Sequence, residues 1–520
     1  MGALIAALWG CAAADAGPDA LTVFARASLD LRGVRPSADE AASLLSDPAS
    51  LDARLDTLPD DPRFGWNLAL QLAPVWQTRA DESDAFNRLA AVENRASFLA
   101  SIGEEPLRLV AWIADHDLPW TEVVRADWTV VDPTLADAWP VDYPTGATGW
   151  QQVPYVDGRP AAGVLATSGL WWRYTSTYGN ANRGRANAVS RILLCNDYLE
   201  RPVPFDPALD LTDEAAVGEA VQSNPSCVAC HAAVDPMGAH LWGFYAEFTD
   251  VTGEVARYHP EREDHWRAFG TPPGYFGVPA DMANPGALGL SVAQDPRFIQ
   301  CAVRRTWGAL VQREPQASDA RALLVHREAM LAGGVTLRAL VRSVLRDPAY
   351  RALDGDAGAW RLMAADTWAS AVEDLTGWRF AVAEGDVMRE DRFGVRSLAG
   401  YVRSSGIVPR GPSPTQVEVH ERWAQQAARH AARHDADAPE DAFLLRDVPV
   451  AEEPDEDALR SQIVALHLRV LSQVVAPDAP EVDEELQLWR AIVARTAGDT
   501  VEAWAVLIEY LLRDPAFVVY

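Results

Sequence analysis

Apolar residues along this chain recur mostly every three to four positions, the spacing of one face of an α-helix. The stretches Ala38–Leu45, Pro106–Ile113, Arg185–Leu194, Leu337–Leu345, Val417–Arg433, Leu459–Val475 and Val501–Leu512 all carry it. Runs that alternate apolar and polar residues, as a half-buried strand requires, are scarce. The pattern predicts a mainly α, multi-domain protein with long irregular connections. The helix Val417–Arg433 is so rich in charge that it reads as solvated.

A short signature punctuates these helices. Asp61-Pro62-Arg63-Phe64, Asp295-Pro296-Arg297-Phe298, Asp347-Pro348-Ala349-Tyr350 and Asp514-Pro515-Ala516-Phe517 share the form Asp-Pro-x-aromatic. Proline disfavours helix at the residue before it, so the preceding helix ends there. The aspartate can then cap a new helix with proline at its first position. The aromatic ring is expected to pack back on the helix just ended. Around this signature, Arg26–Glu40, Arg304–Asp319 and Leu466–Pro477 each read as a helix, a turn and a second helix start. They are expected to be three copies of a helix–turn–helix scaffold unit. The segments Thr134–Gly149, Gly253–Asn284 and Asp435–Asp457, rich in Pro, Gly or acidic residues, read as linkers or solvated loops.

With 520 residues the chain exceeds one compact core, which suggests about two to four domains. Nearly half the residues are apolar and 19 are Trp, enough for packed interiors and unlike a disordered composition. The net charge is −29 and every basic side chain besides histidine is arginine; the chain contains no lysine. So acidic a surface repels phosphate backbones and argues against nucleic acid as a partner.

The first residues, MGALIAALWGCAAADAG, end an apolar run at Leu8-Trp9-Gly10-Cys11 and continue with small residues. They resemble a bacterial lipoprotein signal, in which Cys11 would carry the lipid, although no positive charge precedes the run and the run is short. A lipid on Cys11 would anchor the protein to a membrane without spanning it. No later stretch approaches the roughly 18 apolar residues of a transmembrane helix.

The chemistry sits in Asn224-Pro-Ser-Cys-Val-Ala-Cys-His-Ala-Ala-Val-Asp-Pro-Met-Gly238. Cys227-x-x-Cys230-His231 is the attachment pattern of c-type haem. Two cysteines one helical turn apart reach the two vinyl groups on one porphyrin edge, and the next histidine is held under the iron as axial ligand. Two other chemistries share the pattern. A zinc site would need Cys195, Cys301 or another histidine to complete it, because no second CxxC or HxxxC pair is present. A thioredoxin-like CxxC would need a βαβ context, which the pattern lacks. Of the five cysteines, Cys195 and Cys301 stand alone in apolar helical contexts, and in an oxidising compartment the two are expected to pair as a disulfide.

Cys227-Val-Ala-Cys-His-Ala-Ala-Val-Asp-Pro-Met-Gly238 is similar to the CxxCHxxxDPxG motif of large secreted proteins of planctomycetes and myxobacteria, which combine cytochrome c modules with domains of unknown function. Gly163–Gly169, Asn180–Asn187 and Ile192–Cys195 resemble that family's lead-in to the haem motif. Arg26–Glu40 resembles its N-terminal helical domain, and Phe298–Arg304 and Leu466–Arg469 its C-terminal elements. The chain departs from the family in a long insertion after Trp242 and near Val474. The resemblance implies covalent haem and electron transfer, and no more specific activity.

The expectation is therefore a periplasmic or cell-envelope monohaem protein, lipid-anchored and serving an unknown redox partner protein. Its expected parts are a signal and linker at 1–19, an N-terminal helical domain at 20–150, a cytochrome c-like haem module at 151–260, a helical repeat domain at 261–355 and a C-terminal helical domain at 356–520. Haem c would be its one cofactor, bound by Cys227, Cys230 and His231. The sixth iron ligand stays open. Met237 and His240 follow His231 too closely to wrap the haem edge easily; Met282, Met330, Met363, His259 and His265 are freer. Trp171, Trp172, Trp242 and Phe244 could line a haem pocket or simply pack a core. Arg183 and Arg185 could pair with propionates or lie on the surface. His430 and His434 have an i, i+4 metal spacing but no glutamate completing HExxH. Two other classes remain: a peroxidase-like haem enzyme, and a structural or binding lipoprotein whose CxxC holds zinc or a disulfide.

Overall fold

A computed structural model describes residues 20–79, 95–200, 202, 210, 212–247, 250, 252–352, 361–382, 385–386 and 411–520. The fold is mainly helical, and its strands among these residues are three short antiparallel hairpins. The lipoprotein-like start with Cys11 lies outside the described residues. No described helix is long and apolar enough to cross a membrane.

The Asp-Pro-x-aromatic signature performs the local work expected of it. In each copy the aspartate accepts the amide two residues on, at 2.9 Å for Asp61, 2.8 Å for Asp295 and Asp347, and 2.7 Å for Asp514. Phe64, Phe298, Tyr350 and Phe517 are all fully buried. The first copy differs slightly: a turn at Pro62-Arg63 delays the new helix until Phe64.

The copies at Asp61, Asp347 and Asp514 follow three units of like helix order, and the copy at Asp295 opens the second of them. The first runs through helices Ala20–Arg32, Ala38–Ser46 and Leu51–Thr57; the second through Pro296–Val311, Ala320–Ala332 and Leu337–Val344; the third through Glu456–Leu466, Pro480–Arg495 and Thr500–Arg513. Each first helix, extended in the third unit by a π-helical turn to Leu471, is followed by a left-handed residue: Gly33 at φ 70°, Gln312 at φ 57° and Ser472 at φ 55°. A left-handed residue after a helix reverses the chain and releases it toward the next.

One hydrophobic core runs from Leu21 to Tyr350 and gathers helices Phe64–Trp76, Arg95–Asp115, Arg183–Leu194 and Pro296–Val311. The boundaries drawn at residues 150 and 260 fall inside it. A second core spans Met363 to Phe517 and takes in Leu29 from the first helix. Asp30, beside Leu29, is buried at this joint. Its carboxylate accepts the hydroxyls of Tyr350 at 2.8 Å and Tyr520 at 2.9 Å and pairs with Arg361.

Two sequence readings need correction. The helix Pro414–Asp437 is not solvated: Ala424, Ala427, Ala428, Ala431 and Ala432 are fully buried against Thr500–Arg513. Small side chains at i, i+3 and i+4 let two helix backbones approach closely, whatever charge the other faces carry. The linker segments are also built structure. Thr134–Gly149 is the excursion of a hairpin pairing Trp128–Val131 with Gln151–Pro154. Asp435 is wholly buried and accepts the amides of Phe443, Leu444 and Leu445 at 2.7 to 2.9 Å, which folds the acidic loop onto its helix.

Candidate functional site

Asn224 opens the helix Pro225–Gly238: its side chain accepts the Ser226 amide at 3.0 Å, and Pro225 takes the first helical position. On this helix Cys227, Cys230 and His231 stand at i, i+3 and i+4, so they share one face. All three are half-buried, and both thiols are free. Deeper in, Ala233, Val234 and Met237 are buried, and Gly238 makes the closest approach. A Cβ at Gly238 would stand 2.8 Å from the carbonyl oxygen of Ala181. Ala181 and Asn182 hold left-handed φ angles of 49° and 62° and turn the chain into helix Arg183–Leu194.

That turn brings Arg183 to Asp235, one helical turn beyond His231. The His231 Nδ1 lies 2.9 Å from Asp235 Oδ1. Arg183 donates from Nε to Oδ1 at 2.8 Å and from its terminal nitrogen to Oδ2 at 3.2 Å. Burial pushes the Asp235 carboxyl up, but the hydrogen bonds from His231 and Arg183 outweigh it and hold the group below the usual carboxylate range. An ionised Asp235 therefore takes the Nδ1–H. The Nε2 atom makes no hydrogen bond to the described residues, and this tautomer keeps its lone pair for a metal.

These residues fit haem c by the chemistry of the donor set: two free thiols on one face, followed by an imidazole already oriented by a carboxylate. The helix Glu214–Ser223, which packs on the CxxCH helix, has only Ala220 buried among its described side chains, and its Val217 and Val221, like Val228 between the cysteines, stay half-exposed. Zinc has less to bind. Cys195 and Cys301 form a disulfide with Cα atoms 5.3 Å apart, which withdraws both as ligands. Among the described residues no group of three or more His, Cys, Asp or Glu side chains is arranged to hold a metal ion.

No family model, curated protein or solved structure matches the chain. What the site can do follows from its own residues.

The other candidates disperse. Met237, Met330 and Met363 are core side chains. Met282 is exposed, just beyond a hairpin whose Gly274 lies against Pro236 of the CxxCH helix. His240 is fully buried, with Nδ1 3.2 Å from the Asn284 carbonyl, and burial pushes its pKa down to about 4. Both His259 nitrogens are engaged, at 2.9 Å by Glu261 and 2.8 Å by the Glu254 carbonyl. His265 meets Trp242 edge-on within a cluster that includes Tyr178, Tyr245 and Phe269. Arg185 is a core strut, donating to the carbonyls of Tyr174 at 2.7 Å and Phe244 at 3.0 Å, and burial lowers its pKa to about 9. Trp171 packs on Phe244, whereas Trp172 belongs to a separate cluster with Phe98 and Trp139. His434 lies against the Phe443 ring, its centroid 4.3 Å away and 6.5 Å from His430.

Sequence reasoning missed the part played by Asp235, although its place four residues after a ligand-type histidine was a readable signal. It also missed Glu105. This buried carboxylate accepts Thr129 and Trp139 at 2.8 Å, the Gly169 amide at 2.7 Å and the Tyr155 hydroxyl. Desolvation raises its pKa despite those bonds. Glu105 ties the hairpin to the main core.

Proposed function

We propose that this protein is a c-type monohaem cytochrome that transfers single electrons in the bacterial envelope. Cys227 and Cys230 would form the thioethers and His231 Nε2 would ligate the iron. Haem supplies a one-electron Fe(III)/Fe(II) couple. The chain's own residues supply attachment, orientation and a partly apolar surround. The observation that carries this reading is the single helix face holding Cys227, Cys230 and His231, with Asp235 fixing the tautomer of the histidine. Export is part of the proposal, because covalent haem attachment in bacteria takes place outside the cytoplasm. The lipoprotein-like Cys11 and the Cys195–Cys301 disulfide agree with that compartment. The surface, with a net charge of −29, favours a redox partner bearing a basic patch.

The test is expression with signal sequence and haem-maturation machinery, followed by visible spectra in oxidised and reduced forms. The expected product is coloured, keeps its pigment through acid–acetone extraction, and loses covalent haem in C227A/C230A. A colourless exported protein, or pigment that acid–acetone removes, overturns the proposal.

A further inference from the structure

Resting on that reading, we propose that Asp235 and Arg183 tune the reduction potential of the site in opposite directions. The chain of contacts is short and direct: His231 Nδ1 to Asp235 at 2.9 Å, and Asp235 to Arg183 by two hydrogen bonds at 2.8 and 3.2 Å. A neutral carbonyl would accept the same Nδ1–H without adding charge. A carboxylate draws the proton toward itself, leaves the ring richer in electrons and makes Nε2 a stronger donor. Stronger donation favours the ferric over the ferrous state and so lowers the potential.

Arg183 works against this. Its guanidinium donates hydrogen bonds to both carboxylate oxygens and offsets part of the charge that Asp235 would otherwise direct at the ring. The Asp235 side chain is only 10% exposed, so solvent screens its carboxylate less than it screens Arg183 at 30% or His231 at 26%. The arrangement is also rigidly placed. Asp235 and His231 are one turn apart on a single helix, and Arg183 begins the helix that Gly238 packs against through Ala181 and Asn182. Asp235 lies near the C-terminal end of its helix, where the dipole disfavours a negative charge, so Arg183 also offsets a local cost. Both are positioning residues that act through His231.

The experiment uses the full-length haem-loaded protein and the variants D235N, D235E and R183Q. Haem content is read first by the pyridine haemochrome, and the midpoint potential then by optical titration. D235N keeps an acceptor but removes the charge. It should favour the ferrous form about tenfold, a rise of about 59 mV for one electron. R183Q frees the carboxylate and should move the midpoint the opposite way, and D235E should stay near wild type. A purely structural role would shift D235N and R183Q in the same direction. That result, or midpoints unmoved in coloured variants, overturns this inference while leaving the cytochrome reading intact. If D235N carries no haem, a midpoint that falls in R183Q and holds in D235E supports the inference, and one that does not fall in R183Q overturns it. A colourless wild type overturns the reading beneath it.

Discussion

Gly238 has no side chain because the Ala181 carbonyl occupies the space one would need. Adding a methyl there forces the CxxCH helix away from the turn that carries Arg183. G238A should lower stability by about 1–3 kcal/mol, read from the denaturant midpoint. His420 makes a pH-dependent contribution. It is buried, stacks on Trp368 with ring centroids 4.9 Å apart, and burial pushes its pKa down to about 4. An unfolded histidine titrates near 6.5, so the unfolded chain binds the proton first as pH falls. The stability this site lends is full above pH 6.5 and declines toward pH 4, by at most about 3 kcal/mol. H420F, which keeps the stacking, should flatten the unfolding midpoint across that window; an unchanged slope would show that other groups set it. At this scale the chain was unevenly legible. Cys227, Cys230 and His231 declare themselves because their chemistry is local in sequence. Glu105 and Asp435 did not, because a buried carboxylate is recognisable only by its donors, and those of Glu105 lie up to 64 residues away.

Among the elements, the Asp-Pro-x-aromatic signature was read correctly because capping is a contest within one turn of chain. Its copies nevertheless carry different loads. Among the described residues the Asp514 carboxylate accepts the Ala516 amide alone, whereas Asp347 also accepts His326 Nε2 at 2.7 Å and Trp307 Nε1 at 2.8 Å. D514A should therefore cost about 1 kcal/mol, the usual value of a cap. D347A, which also strands two buried donors, should cost about 2–4 kcal/mol. Equal losses in chemical denaturation would mean that the His326 and Trp307 contacts contribute nothing beyond the cap. The misread helix Pro414–Asp437 makes the complementary point. The stretch of its buried face from Ala424 to Ala432 is alanine, too weakly hydrophobic to stand out from a charged sequence, and its value lies in close approach, which depends on a partner some 70 residues on.

Across the whole molecule, the helical class followed from periodicity, while the extent of each core did not. Helices from residues 20 to 350 share one interior because their partners are distant in sequence, beyond the reach of any local pattern. The Cys195–Cys301 bond staples that interior across 106 residues. In the chain-entropy account a loop of this length contributes about 4–5 kcal/mol. C195S/C301S should unfold at correspondingly lower denaturant, and reductant should bring the wild type to the same midpoint. Coincident curves without reductant would mean that the crosslink leaves the unfolded ensemble unchanged.

The joint at Asp30 favours late closure of the two cores upon one another. This aspartate is made early, yet Tyr350, Arg361 and Tyr520 emerge hundreds of residues later. Without those partners a lone carboxylate facing the second core would be costly to dehydrate. Closing the two halves on this face is cheapest once the late-made arginine and tyrosines can reach that acid.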